Sequence, residues 1–188
     1  MQEAYPVGGA MTAVLGLDKE SIEASLKKVD GIVSIANDNC LGQIVITGEE
    51  LAVTEASKLL TEAGAKRCIP LKVSGPFHSA LLEGAGNLLS QDLEKVEVNS
   101  PTVPYISNVT ADLVEKSDDI KDLLSKQVSS QVKFRESILK LMELGVDTFV
   151  EIGPGKTLAG FIKKTNKDLN VINIEKVADL EKLSAIKG

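Results

Sequence analysis

Between Ala10 and Ser74 the spacing of apolar residues switches between strand and helix periods in the order strand, helix, strand, strand, helix, strand. Few chain paths satisfy that order. Ala10–Leu17 (AMTAVLGL) reads as a buried strand. Asp18 stands where a helix N-cap belongs, and Ile22, Leu26 and Val29 follow at helical spacing. Gly31–Asn37 and Gln43–Thr47 read as two strands around a polar loop, Asp38-Asn39-Cys40-Leu41-Gly42. A second helix is predicted from about Glu49 to Ala63, with Ala52, Ala56, Leu59, Leu60 and Ala63 as its buried stripe and Gly64 at a left-handed cap. Arg67–Ser74 completes the set, and Pro70 within it marks an edge or bulged strand.

This β-α-β-β-α-β order is ferredoxin-like, an arrangement that hosts many functions and decides none. The remaining sequence alternates helix and strand. Helices are predicted from about Ser79 to Lys95, from about Asp118 to Gln127, along the stripe Phe134, Ile138, Leu141 and Met142, and over Thr157–Lys164. Val103–Asn108, Thr148–Ile152 and Asn170–Ile174 read as strands. Such alternation predicts a parallel sheet covered on both faces. Three strands are fewer than the roughly 4 to 6 that sheets usually have, so this half reads as part of a larger sheet. The expected fold class is α/β: a ferredoxin-like subdomain over residues 1–75, joined to an incomplete parallel sheet over residues 76–188.

Composition narrows the function. The 188 residues carry a net charge of −6, which argues against binding a nucleic-acid backbone. No apolar run approaches the roughly 20 residues of a membrane span, and Met1-Gln2-Glu3-Ala4 lacks the features of a secretory signal. Two cysteines, Cys40 and Cys68, and a single histidine exclude a disulfide scaffold and zinc-finger spacing, so no metal is expected. A cytoplasmic location is the expectation.

Gly75-Pro76-Phe77-His78-Ser79 joins a strand to a helix where the two halves meet, and clefts form at such junctions. His78 is the one imidazole available for general acid–base work near neutral pH, although a histidine can also simply cap or pack at a helix start. Asn37, Asp38, Asn39 and Gln43 gather polar groups that can hold a carbonyl-rich ligand or merely satisfy a turn. Gly153-Pro154-Gly155-Lys156-Thr157 fails the phosphate-loop pattern, because Val150 stands where its first glycine belongs, and Leu158 breaks the dinucleotide pattern. No Gly-x-Ser-x-Gly occurs, and Cys68 reads as a buried apolar filler.

Several segments, in order, resemble the malonyl-CoA:acyl-carrier-protein transacylases of bacterial fatty-acid synthesis. They are Met1-Gln2-Glu3-Ala4, Gly9-Ala10-Met11, Ile35-Ala36-Asn37-Asp38-Asn39 with Gly42-Gln43-Ile44-Val45-Ile46, Val73-Ser74-Gly75-Pro76-Phe77-His78-Ser79, Ser107-Asn108-Val109 and Glu151-Ile152-Gly153-Pro154-Gly155-Lys156. The resemblance covers the chain to about Lys164. It implies an α/β-hydrolase-like core carrying an inserted ferredoxin-like subdomain. It also implies ping-pong acyl transfer, in which a serine attacks malonyl-CoA and the malonyl group then passes to the thiol of acyl carrier protein. Malonyl-CoA is then a substrate, and no resident cofactor is implied. By resemblance His78 is the catalytic histidine and Gln127 the residue whose main-chain carbonyl orients it. Phe77 matches a position associated with malonyl selection, and Asn39 and Asn108 match amides lining the cleft.

The chain departs from the family pattern by lacking the Gly-His-Ser-x-Gly nucleophile, a glutamine loop and a malonyl-pairing arginine, which neither Arg67 nor Arg135 matches. It therefore resembles the C-terminal two-thirds of such an enzyme. The isolated chain is expected to be inactive, with a missing N-terminal segment among its partners. Lys66, Arg67 and Lys72 are candidate contacts for an acidic carrier protein. The alternative is a non-catalytic module that binds acyl carrier protein or acyl-CoA.

Overall fold

In the computed structural model, which describes residues 8–73 and 75–186, the first half is built as an antiparallel sheet backed by two helices. β1 (Gly9–Leu15) leads to α1 (Lys19–Leu26), which starts where Asp18 Oδ1 accepts the Ser21 amide at 2.7 Å. β2 (Val33–Cys40) and β3 (Gln43–Glu49) form a hairpin, followed by α2 (Glu50–Glu62) and β4 (Arg67–Pro70). The strands lie in the order β2-β3-β1-β4, each antiparallel to its neighbour. Alternation along the strands divides two faces. Val14, Ile35, Ile44 and Ile46 meet Ile22, Val53, Ala56 and Leu60 from the helices. Met11, Ala13, Ala36 and Val45 point the other way, and Phe77 packs on them.

The expected polar loop contracts to the turn Leu41-Gly42. β2 stays paired through Cys40 because its register slips twice, between Ile35 and Asn37 and between Asp38 and Cys40. These irregularities bend the strand without ending it. β4 stops at Pro70 rather than Ser74, at the sheet edge where a proline's missing donor costs no ladder bond; Ser74 itself lies outside the described residues.

The second half corrects the expectation of a three-stranded parallel sheet. After a single 3₁₀ turn (Ala80–Leu82) comes α3 (Glu83–Glu94), then β5 (Tyr105–Ser107), which pairs antiparallel with β6 (Asp112–Val114). The tight turn between them is closed by Ala111 N–H donating to Ser107 O at 2.8 Å, with Ala111 in the left-handed region (φ 57°). A local hairpin thus takes the place of a crossover. α4 (Ser117–Gln127) and α5 (Phe134–Glu143) follow, then β7 (Thr148–Ile152), α6 (Thr157–Thr165), β8 (Asn170–Ile174) and a 3₁₀ segment (Val177–Ala185). β7 and β8 run parallel, the one parallel pair of named strands among the described residues. Ile138, Ile162 and Leu169 form a smaller core beneath them.

Two glycines allow close approaches that bear on the junction. A Cβ on Gly9 would stand 2.3 Å from the Pro76 ring, so β1 and the Gly75-Pro76 turn pack only because Gly9 has none. A Cβ on Gly86 would stand 2.9 Å from Ser125 O, so α3 and the end of α4 cross closely at that residue. No helix among the described residues is long and apolar enough to cross a membrane.

Candidate active site

His78 follows the buried Gly75-Pro76 turn, with its main chain in the left-handed region at φ 60°. That conformation costs a side-chain-bearing residue roughly 1–2 kcal/mol, though histidine is among the residues that tolerate it. The turn is fixed from both sides: Phe77 N–H donates to Gly75 O at 3.0 Å, and the buried Ser79 Oγ donates to Pro76 O at 2.8 Å. The Ser79 hydroxyl is therefore part of the turn. The Phe77 ring goes into the sheet, against Met11, Ala13, Ala36 and Val45. The two side chains diverge, and His78 is left half-buried and facing the second half.

There His78 Nδ1 lies 2.9 Å from Gln127 O. A carbonyl oxygen only accepts, so in the neutral ring this bond places the proton on Nδ1 and leaves the Nε2 lone pair free. Gln127 is the last residue of α4, where carbonyls have no partner within the helix. The helix end thus presents an otherwise unpaired acceptor to the imidazole. Gly86 lets α4 come close enough to α3 for this contact.

Beyond the turn Gln127–Ser130 the chain crosses between elements as a strut. Val132 N–H donates to Ala36 O at 2.7 Å and Val132 O accepts from Asp38 N–H at 2.9 Å, a parallel bridge onto β2. Lys133 N–H donates to Asn108 O at 2.9 Å. The structure therefore brings His78 and Gln127 into direct contact, while Asn39 and Asn108, both half-buried, flank the strut on β2 and at the end of β5. A cavity of about 460 Å³ opens at His78, and Ser34, Ile35, Ser129 and Gln131 share its lining with Glu23 of α1 and Lys27, the residue that caps it. Phe77, Asn39 and Asn108 do not line it. Sequence reasoning singled out none of Ser34, Ser129, Gln131, Glu23 and Lys27 as site residues, and no local pattern marks them. A larger cavity of about 850 Å³ lies between α2 and β4 and does not include the imidazole.

Next to the strut lies a cluster of charges around Asp38, a residue that the sequence reading assigned to a loop. Asp38 is buried, and neither carboxylate oxygen has a hydrogen-bond donor. Burial pushes its pKa up, against the pull of Arg135 and Lys19. Burial also disfavours charge on Lys19, but the 2.8 Å pair with Glu136 and the nearby carboxylates outweigh it and raise its pKa. Burial raises the Cys40 thiol, which keeps it protonated and inert. The two cysteines exchange the expected roles: Cys40 is the buried one, and Cys68 is half-buried beside the larger cavity. Arg67 lies exposed on β4 and Arg135 beside Asp38. Among the described residues no group of His, Cys, Asp and Glu side chains can hold a metal ion.

Comparison with known proteins places the chain in a family. The acyl transferase domain family matches residues 1–184. The malonyl CoA-acyl carrier protein transacylase of Bacillus subtilis (strain 168) is 48% identical over 185 residues, covering 96% of this chain. The chain spans 58% of that relative's length. A crystal structure of an acyl carrier protein S-malonyltransferase from Vibrio cholerae superposes with a TM-score of 0.95 at 40% identity, over 97% of this chain and 61% of that one. A malonyl-transacylase solved in complex with a type II PKS acyl-carrier protein gives 0.93 at 38% identity, over 96% and 60%. The overall architecture is accordingly the α/β fold of these transferases. With a match running from residue 1 to residue 184, this chain belongs to the acyl transferase domain family.

Proposed function

We propose that these residues form the histidine-bearing part of an enzyme that moves a malonyl group from coenzyme A to acyl carrier protein in fatty-acid synthesis. The observation that carries the reading is the 2.9 Å bond between His78 Nδ1 and Gln127 O. With Nδ1 held, Nε2 takes the proton of an attacking alcohol, and the malonyl carbonyl becomes an acyl ester as the coenzyme A thiol leaves with that proton. In the second half-reaction Nε2 takes the carrier thiol's proton, the thiolate attacks the ester, and the alcohol is restored. Within each half-reaction the ring carries a positive charge until it passes its proton on, and the carbonyl and the negative end of α4 stabilise that charge.

The 188 residues contain no Gly-His-Ser-x-Gly. In this reading the alcohol comes from protein outside them. Residues 1–75 act as a ferredoxin-like subdomain, which the strand order β2-β3-β1-β4 supports. Residues 76–188 act as part of an α/β-hydrolase-like core, supported by the β7–β8 parallel pair. Phe77, Asn39 and Asn108 belong to the acyl site by resemblance alone, since none of them lines the cavity at His78. The relatives' names support the substrates, and the solved complex supports carrier protein as the partner.

The test is co-expression with the N-terminal part of the Bacillus subtilis relative, followed by a malonyl-transfer assay. The expected result is transfer that His78→Ala lowers by about 10²–10⁴-fold, and no malonyl adduct by intact mass on the isolated chain. Transfer indifferent to His78→Ala would overturn the proposal. Carrier or acyl-CoA affinity without transfer, unchanged by His78→Ala, would favour a binding module.

A further inference from the structure

The Gln127 carbonyl meets the imidazole only if the chain leaves α4 along one path. Main-chain bonds hold the far end of that path, at Val132 and Lys133. At the near end the main-chain bonds are long, Val128 N–H to Ser125 O at 3.4 Å and Ser129 N–H to Lys126 O at 3.2 Å, and a side chain adds to them: Gln127 Nε2 donates to Ser130 O at 3.2 Å, closing the turn Gln127–Ser130. The acceptor is a main-chain oxygen, so the amide nitrogen must face it. The residue whose oxygen receives His78 thus also clamps the turn that aims that oxygen.

We propose that the Gln127 side chain is a positioning element for His78: its amide fastens the turn after α4, and the fastened turn keeps the Gln127 carbonyl on Nδ1. Without the clamp only the two long main-chain bonds restrain the turn, and the carbonyl can tilt towards water as helix-end acceptors do. The imidazole then loses the partner that selects its tautomer. Any residue at this position supplies a carbonyl, but few supply a donor that reaches Ser130. The functional weight of the clamp rests on the proposed role of His78 as proton carrier, because only that role needs a free Nε2 lone pair.

The chain contains a single histidine, so ¹⁵N-labelled protein has one imidazole, and its two ring nitrogens report the tautomer without mutational assignment. The measurement is made with the ring neutral, on the 188-residue chain and on Gln127→Ala and Gln127→Glu. Both variants keep the main-chain oxygen and remove the donor. The expected result is a proton on Nδ1 in the parent chain, and an Nδ1–H to Nε2–H ratio lower by about fivefold or more in each variant, the scale of one net hydrogen bond. Should Gln127→Glu not fold, Gln127→Ala gives the same reading. A lower melting temperature with an unchanged tautomer would reduce the bond to a structural one and overturn the inference, as would no change in either. A parent chain that carries its proton on Nε2 would instead overturn the catalytic reading of His78, and this inference with it.

Discussion

The two halves of the molecule are held together by different means. In the four-stranded half, α1 and α2 close over Val14, Ile22, Ile46 and Leu60, all fully buried, and a single sheet carries the register. Among the described residues of the second half each sheet is two strands wide, the core cluster comes down to Ile138, Ile162 and Leu169, and Ile152 on β7 is 80% exposed. Two strands offer too little face to bury a core of their own. This half gains order by packing α5 and α6 against β2. His78 therefore sits where a self-supporting layer meets a dependent one, and its carbonyl partner comes from the dependent side. The precision of the site rests on the seam.

Matched truncations test that contrast most severely. Leu60→Ala is expected to cost about 2–5 kcal/mol, read by chemical denaturation, and to unfold both halves together. Ile162→Ala is expected at the low end of that range, with hydrogen exchange accelerated in the second half only. Equal costs with global loss of protection in both variants would erase the distinction. A smaller effect tests the seam itself. Gly86→Ala places a Cβ against Ser125 O, and overpacking of this kind costs about 1–3 kcal/mol. The melting temperature should fall, and the Nδ1–H of His78 should lose dominance. A shift in stability with the imidazole spectrum unchanged would mean that α4 gives way without moving Gln127.

The buried carboxylate at the seam gives a pH signature. The Asp38 pKa is raised in the fold by burial, so the folded chain binds a proton more tightly than the unfolded one does. Its contribution to stability is greatest below the ordinary carboxylate range, near 3.9, and declines as pH rises through the folded value. Asp38→Asn should flatten that decline in stability-against-pH curves. An unchanged slope would show that Asp38 is not the source of that decline. The smallest effect belongs to the exposed 3₁₀ segment Val177–Ala185. There Asp179 is held down to about 2, first by Lys182 and then by the Lys176 and Glu175 amides. That contribution is present above the ordinary carboxylate value and fades as pH drops towards 2. Asp179→Asn should speed amide exchange in Val177–Ala185 alone.

Much of the fold is legible because its signals are local. The Asp18 cap, the Gly64 terminus of α2 and the spans Thr148–Ile152 and Asn170–Ile174 each follow from spacing within a few residues. The misses are of another kind. β6 has three residues, too few for any period to show. The stretch Asp38–Cys40 looks like a loop because its residues are polar, yet bulges keep it paired and Arg135, distant in sequence, lies beside Asp38. The contact between His78 and Gln127 spans 49 positions, so only the family resemblance brought the two together in advance. Ser129, Gln131 and the α1 charges at the histidine cavity carried no signal at all.

By itself the sequence determined the order of elements in the first half, the faces of its helices and a lone imidazole at a strand-to-helix junction. Periodicity and capping act over one or two turns of chain. The tertiary structure alone decided which way that imidazole faces, which nitrogen is left free and what closes around it. Those outcomes depend on a left-handed main chain at His78, a missing Cβ at Gly86 and a bridge from Val132 to β2. Each is a contact between segments far apart in sequence, and its geometry exists only once both cores have packed.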